Sequence, residues 1–176
     1  MEKLIQAALA AGASNASVLP VAQIPFDPLL RKLCEANRCG KYNRNYGCPP
    51  FVGTAEEVIG RAKQYENALV IQTINELEDS YDVEGMAESG ARHNRITREV
   101  AQAAEAEYPE CIALAAGGCT LCERCACLDG EACRFPEKVV PSLSSFCINV
   151  SKMAGKCGMK YINGVNTVTY FSVILF

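Results

Sequence analysis

The sequence predicts an α/β or α+β fold, with a central sheet, helices packed on it, and a cysteine-rich insertion that interrupts their alternation. Three observations predict it. Short apolar runs of strand length at about 68–74, 112–116 and 167–175 alternate with stretches of helical periodicity. Capping and stop signals bracket those stretches, the pattern of a sheet covered by helices. Of the 176 residues, 49% are hydrophobic and 21% charged, enough apolar material for one core in a single domain spanning 1–176.

Taken in order, residues 2–11 suit a short helix, because Leu4, Ala7, Ala8 and Ala11 share a face and Gly12 can end it. Ala16 to Ile24 reads as a strand interrupted by Pro20, followed by irregular chain at Pro25 and Pro28. Pro49-Pro50 stops any helix there. Thr54, with Glu57 three residues on, is a capping-box signature for a helix over about 55–65. A strand at Ala68–Ile74 leads through a polar turn at Glu76–Asp82 to a helix over about 86–107, with Ile96, Val100, Ala103 and Ala104 inward, closed by Pro109. Ile112–Ala116 is a short strand. Ser142 caps an expected helix running to about Ala154, with Phe146 and Val150 as core residues. Tyr161–Val165 and Thr167–Leu175 are expected as strands paired around Asn163-Gly164.

The net charge of −3 and a pI near 5.3 provide no basic footprint for nucleic acid or an anionic membrane. The first residues lack the apolar core of a signal peptide, and no segment approaches the ~20 apolar residues of a membrane span. A cytoplasmic protein is expected. Eleven cysteines are the exceptional number, and an odd count without a secretion signal argues for reduced thiolates serving as metal ligands rather than disulfides.

Two segments, about 31–50 and 117–136, carry most of these cysteines. The second holds Cys119, Cys122, Cys125, Cys127 and Cys133 within fifteen residues. In Cys119-x2-Cys122-x2-Cys125-x7-Cys133 the closely spaced thiolates can converge on neighbouring irons of a cubane while the distant one supplies the last corner. Gly117 and Gly118 let backbone amides approach the sulfides. The rival is a four-cysteine structural zinc site, although zinc sites usually present two separated Cys-x2-Cys pairs. Three cysteines at successive three-residue intervals favour one or two iron–sulfur clusters of the four-iron four-sulfur type, with zinc as the alternative. Cys127 is either a substitute for Cys125 or a spare buried thiol.

The first segment holds Cys34-x4-Cys39-x8-Cys48-Pro49-Pro50. Three cysteines in a Pro-bounded polar loop suit a second cluster or metal, with one position open or closed by Cys147, Cys157 or Cys111. The bland reading is a set of small buried hydrophobes. Arg31, Lys32, Arg38, Lys41 and Arg44 surround the group and read as a solvated face rather than as counter-charges. His93, the only histidine, falls in the polar run Arg92-His93-Asn94-Arg95 and is expected at the surface. Tyr42 and Tyr46 are expected in core packing rather than over a cluster. No phosphate loop, dinucleotide fingerprint or nucleophile elbow is present, so no reaction is named.

The order Arg31-x2-Cys34-x4-Cys39-x2-Tyr42, Cys48-Pro49-Pro50, Cys119-x2-Cys122-x2-Cys125-x7-Cys133-x2-Pro136 and Pro141-Ser142 resembles an uncharacterised family of predicted metal-binding proteins from anaerobic bacteria and archaea. The resemblance spans nearly the whole chain and implies a ferredoxin-like second cysteine group, with no established activity. The chain departs from that pattern after Pro141-Ser142, where an acidic residue and then Gly-Ile-Asp-Val are expected and Leu143-Ser144-Ser145-Phe146-Cys147-Ile148-Asn149-Val150 stands. The expectation is an iron–sulfur protein for electron transfer, or a redox subunit in anaerobic metabolism, serving a redox partner protein and able to form a homo-oligomer. The alternatives are an enzyme with an open-coordination metal site near Cys48, and a zinc-binding or metal-delivery module without redox activity.

Overall fold

A computed structural model describes all residues from 1 to 176. Four strands form one sheet in the order β1-β2-β4-β3, where β1 is Asn15–Pro20, β2 Asn67–Glu76, β3 Ile112–Leu114 and β4 Thr167–Leu175. Every pairing is antiparallel, with Asn15 opposite Gln72, Ala68 opposite Leu175 and Leu114 opposite Val173. The antiparallel sheet selects α+β from the two classes predicted. No helix is long and apolar enough to cross a membrane.

Both faces of the sheet are covered, so β2 is a continuous buried run from Ala68 to Thr73 rather than an alternating one. Side chains still alternate between two cores. Leu69, Ile71 and Ile174 meet α1 (Glu2–Ala10) and α4 (Val83–Glu105). Val70, Phe171, Val173 and Leu175 meet α3 (Ala55–Ala62), α5 (Val150–Lys156) and Phe146. A short α2 (Leu30–Glu35), absent from the sequence expectations, carries Cys34.

The capping box forms as expected: Glu57 N–H donates to Thr54 Oγ1 at 3.2 Å and Thr54 N–H to Glu57 Oε2 at 2.7 Å. Thr54→Ala is expected to cost about 1 kcal/mol, read as a lower urea midpoint at an unchanged slope. An unchanged midpoint would show that the box contributes nothing to α3.

Several expectations are corrected. The strand after Ala16 stops at Pro20, and Val21–Gln23 is a 3-10 turn. The helix expected from Ser142 to Ala154 is split, because Cys147 adopts φ 57° and ends a 3-10 turn at Ser144–Phe146. A new start follows, with the Asn149 side chain accepting from Lys152 N–H at 3.1 Å. The N-cap position of the 3-10 turn is Leu143 rather than Ser142, although the Ser142 hydroxyl accepts from Ser145 N–H at 3.0 Å. Tyr161–Val165 forms no strand, since the Asn163 amide is engaged by Lys160 O and Thr169 Oγ1, and β4 pairs with β2 and β3 instead.

On α4, capped by Asp82, Ala103 is exposed and the inward stripe is His93, Ile96, Thr97, Val100, Ala101 and Ala104. His93 is therefore not at the surface. It is fully buried, with Nδ1 2.9 Å from Thr73 Oγ1 and Nε2 without a hydrogen-bond partner.

Candidate metal centre

The second cysteine segment is a long excursion whose ends are tied together. Ala115 N–H donates to Pro141 O at 2.9 Å and Leu143 N–H to Ala115 O at 3.1 Å, so residues 141–143 run beside the end of β3. β3 thus delivers the chain to Gly117-Gly118-Cys119 from a fixed point on the sheet. Between the tied ends the chain is irregular, apart from 3-10 turns at Ala126–Asp129 and Pro136–Lys138.

A strap from the first segment braces this excursion. Asn45 is buried; its Oδ1 accepts from Cys119 N–H at 3.0 Å and Gly47 N–H at 2.8 Å, while Nδ2 donates to Cys119 O at 2.9 Å. Ser142 N–H donates to Gly47 O at 3.1 Å. Residue 47 must be glycine for this approach, since a Cβ there would lie 2.8 Å from Val140 O and 2.9 Å from Cys119 N. Tyr46 donates its phenol proton to Glu131 O at 2.6 Å and packs its ring on Phe51. None of Asn45, Tyr46 and Gly47 was singled out by spacing as a brace; Tyr46 borders the cysteine recess instead of filling the core.

Cys119, Cys122, Cys125 and Cys133 line one recess together with Tyr46, Leu121, Ala126, Arg134, Phe135 and Val139. The recess is narrow, with a cavity volume of about 20 Å³. No three cysteine, histidine or carboxylate side chains are gathered tightly enough to hold one metal ion. A tetrahedral zinc needs sulfurs roughly 3.8 Å apart, given its ~2.3 Å bonds. Thiolates of a cluster bind separate irons and stand farther apart, around a space. Four soft donors suit a soft metal ion or a metal cluster rather than a hard cation.

Cys125 and Cys127 sulfurs lie 3.5 Å apart, and the pair divides its titration. Burial acts to raise the Cys125 pKa, but the Tyr46 and Cys127 amides, the Cys127 thiol and the Arg134 charge together bring it below the ordinary thiol value. Cys127 is pushed up to about 11 by burial and by its neighbour's sulfur. Cys125 is thus the better thiolate of the two, and it borders the recess.

Cys34 and Cys48 of the first group lie against the Ser142–Cys147 turn. Arg31 is buried, not solvated: Nη1 donates to Gly53 O at 2.7 Å and Nη2 to Ser145 O at 2.8 Å, clamping α2 onto that turn. Lys32, Arg38, Lys41 and Arg44 are exposed, as expected. Cys34 Sγ lies 4.0 Å from Ser144 O. Cys48 is buried, Cys39 exposed. Burial pushes the Cys48 thiol up to about 11, the charges of Cys39 and Cys34 add to this, and the Ser142 hydroxyl and Lys41 oppose it. Cys34 is raised mainly by burial and also by Cys39 and Cys147. The thiols of this group therefore lie within electrostatic reach of one another, and a cation would be needed to hold Cys48 as a thiolate at neutral pH.

The two groups adjoin across the strap, with Asn45 and Tyr46 on the second and Cys48 on the first. No curated protein and no solved structure matches this chain. The sequence profile of the family described as "Predicted metal-binding protein (DUF2284)" matches residues 17–176, both cysteine groups included. The chain belongs to that family of predicted metal-binding proteins.

Proposed function

We propose that this is an iron–sulfur protein of the cytoplasm that carries electrons for a partner redox protein. In this reading Cys119, Cys122, Cys125 and Cys133 hold one cluster, and Cys34, Cys39 and Cys48 contribute to a second centre. The observation that carries it is the shared recess: four thiols from one ferredoxin-like spacing border a single apolar-rimmed space, with a backbone strap leading directly to Cys48. The cluster would supply the one-electron chemistry. The chain would supply the thiolates, the amides of Tyr46 and Cys127 directed at Cys125, and an apolar rim beside the half-buried sulfurs, all of which tune potential.

Zinc remains the competing occupant because the Cys125 and Cys127 sulfurs, 3.5 Å apart, have the separation a single tetrahedral ion asks of two ligands. Purification without oxygen, followed by iron, zinc and acid-labile sulfide counts and by visible and electron paramagnetic spectra, separates the two. A coloured protein with matching iron and sulfide supports electron transfer. A colourless protein with stoichiometric zinc removes it.

A further inference from the structure

We propose that Cys125 and Cys127 form a reversible disulfide that withdraws Cys125 from the second cysteine group and closes that group to metal until the pair is reduced. The closure rests on the reading of Cys125 as a ligand; the disulfide itself does not. Cys127 is the thiol that the second group's ligand set leaves unused. It lies outside the recess, yet its sulfur is 3.5 Å from that of Cys125, which lines it. No other two sulfurs in the chain are hydrogen-bonded to each other, and every cysteine is free.

The backbone between the two cysteines has the shape a disulfide needs. Ala126 begins the 3-10 turn Ala126–Asp129. A helical residue sets the Cα atoms on either side of it roughly 5.4 Å apart, well inside the usual disulfide range of about 4.4–6.8 Å. An extended residue there would set them roughly 6.7 Å apart, at the limit of that range.

The turn is held without metal. Leu128 N–H donates to Cys125 O at 3.1 Å and Glu131 N–H to Ala126 O at 3.2 Å. Arg124 and Asp129, on either side of the pair, form an ion pair at 2.8 Å, and Arg134 Nη1 donates to Arg124 O at 3.0 Å. The sulfurs are therefore neighbours before any oxidant arrives. Both side chains are only half-buried, so a small reagent reaches them. Bonding draws the sulfurs from 3.5 Å to about 2.05 Å, and a sulfur so bonded is no longer a thiolate donor.

The oxidant is a small organic disulfide, of which oxidised glutathione is the probe. One cysteine sulfur attacks it and releases one small thiol; the other cysteine then attacks its neighbour's sulfur and releases the second. The reagent's S–S bond and two cysteine S–H bonds break, while one protein S–S bond and two reagent S–H bonds form. The protein loses two electrons and the reagent gains them. Excess thiol reverses both steps, so the pair stays open in a reducing compartment.

The test uses the full metal-free chain, reduced without oxygen and then treated with graded amounts of oxidised glutathione. Remaining thiols are alkylated and the chain is cut after glutamate. Cleavage at Glu123 and Glu131 releases residues 124–131, which carry Cys125 and Cys127 and no other cysteine. This fragment is expected to lose two hydrogens and escape alkylation while Cys119, Cys122 and Cys133 still alkylate, and dithiothreitol should restore both sites. Alkylation of both its cysteines, or a link from either to another cysteine, would overturn the disulfide. Cadmium ion, followed by its thiolate charge-transfer absorbance, then reads the closure. The binding that Cys122→Ser lacks belongs to the second group, and oxidised wild type is expected to bind there at least about ten-fold more weakly than reduced wild type. Equal binding by both forms would overturn the closure. If reduced wild type and Cys122→Ser bind cadmium alike, the second group falls as a metal centre and the closure falls with it, whatever the fragment shows.

Discussion

Cys122→Ser, produced and purified without oxygen, is expected to lose most of the second-group iron and sulfide and to release the remainder to chelator at least about ten-fold faster than wild type. The size of the effect follows from what remains. Cys119 is held by Asn45, and Cys125 and Cys133 stay in the recess, but a cluster corner without thiolate is open to water and exchange. The fold is expected to survive, because neither buried core includes Cys122 and the ends of the excursion are tied by backbone bonds at Ala115, Pro141 and Leu143. Far-ultraviolet circular dichroism should match wild type. Cys127→Ser is the contrast: its sulfur does not border the recess, so metal retention is expected. Equal iron in Cys122→Ser and wild type, or equal losses in both variants, would refute the four-ligand assignment.

Acid should destabilise the metal-free chain through His93 by about 3 kcal/mol between neutral pH and pH 4. Burial holds its pKa down from 6.5 to about 4, against a small opposing contribution from the Phe171 backbone. With the folded-state pKa depressed, the unfolded chain takes up this proton near pH 6.5 and the folded chain only near pH 4. Stability is therefore full above 6.5, declines as pH falls through that interval, and levels off below about 4. Glu57 and Asp129, whose carboxyl pKa values are lowered by hydrogen bonds from Thr54 and Arg124, act at still lower pH and do not produce this slope. Urea unfolding at pH 7 and pH 5 reads it, and His93→Gln should flatten the dependence whatever it does to absolute stability. The same acid slope in that variant would exclude the histidine.

The parts of this fold legible in sequence are those set by local chemistry. The Thr54–Glu57 box, the β2 run from Ala68 and the stripe through Ile96 and Val100 depend on residues near one another in the chain. The same stripe extends to His93 at i−3 from Ile96 and i−7 from Val100, so the periodicity held the signal while local polarity masked it. Arg31 was hidden for a different reason: its partners, Gly53 O and Ser145 O, are backbone atoms 22 and 114 positions away. The left-handed Cys147 could not be read from residue type, because nothing in a cysteine announces positive φ. At the site, spacing grouped Cys119, Cys122, Cys125 and Cys133 at one recess, but the Asn45–Cys48 strap joining the two groups depends on tertiary contact.

β3 touches the sheet only through β4, and β4 is synthesised after every cysteine in the chain. Its three residues pair with no other strand, so the strand pairing that anchors the platform from which Gly117 departs waits for Val173–Leu175. On the proposed reading, loading of the second group would be a finishing step in biogenesis, after Val173–Leu175 have paired with β3.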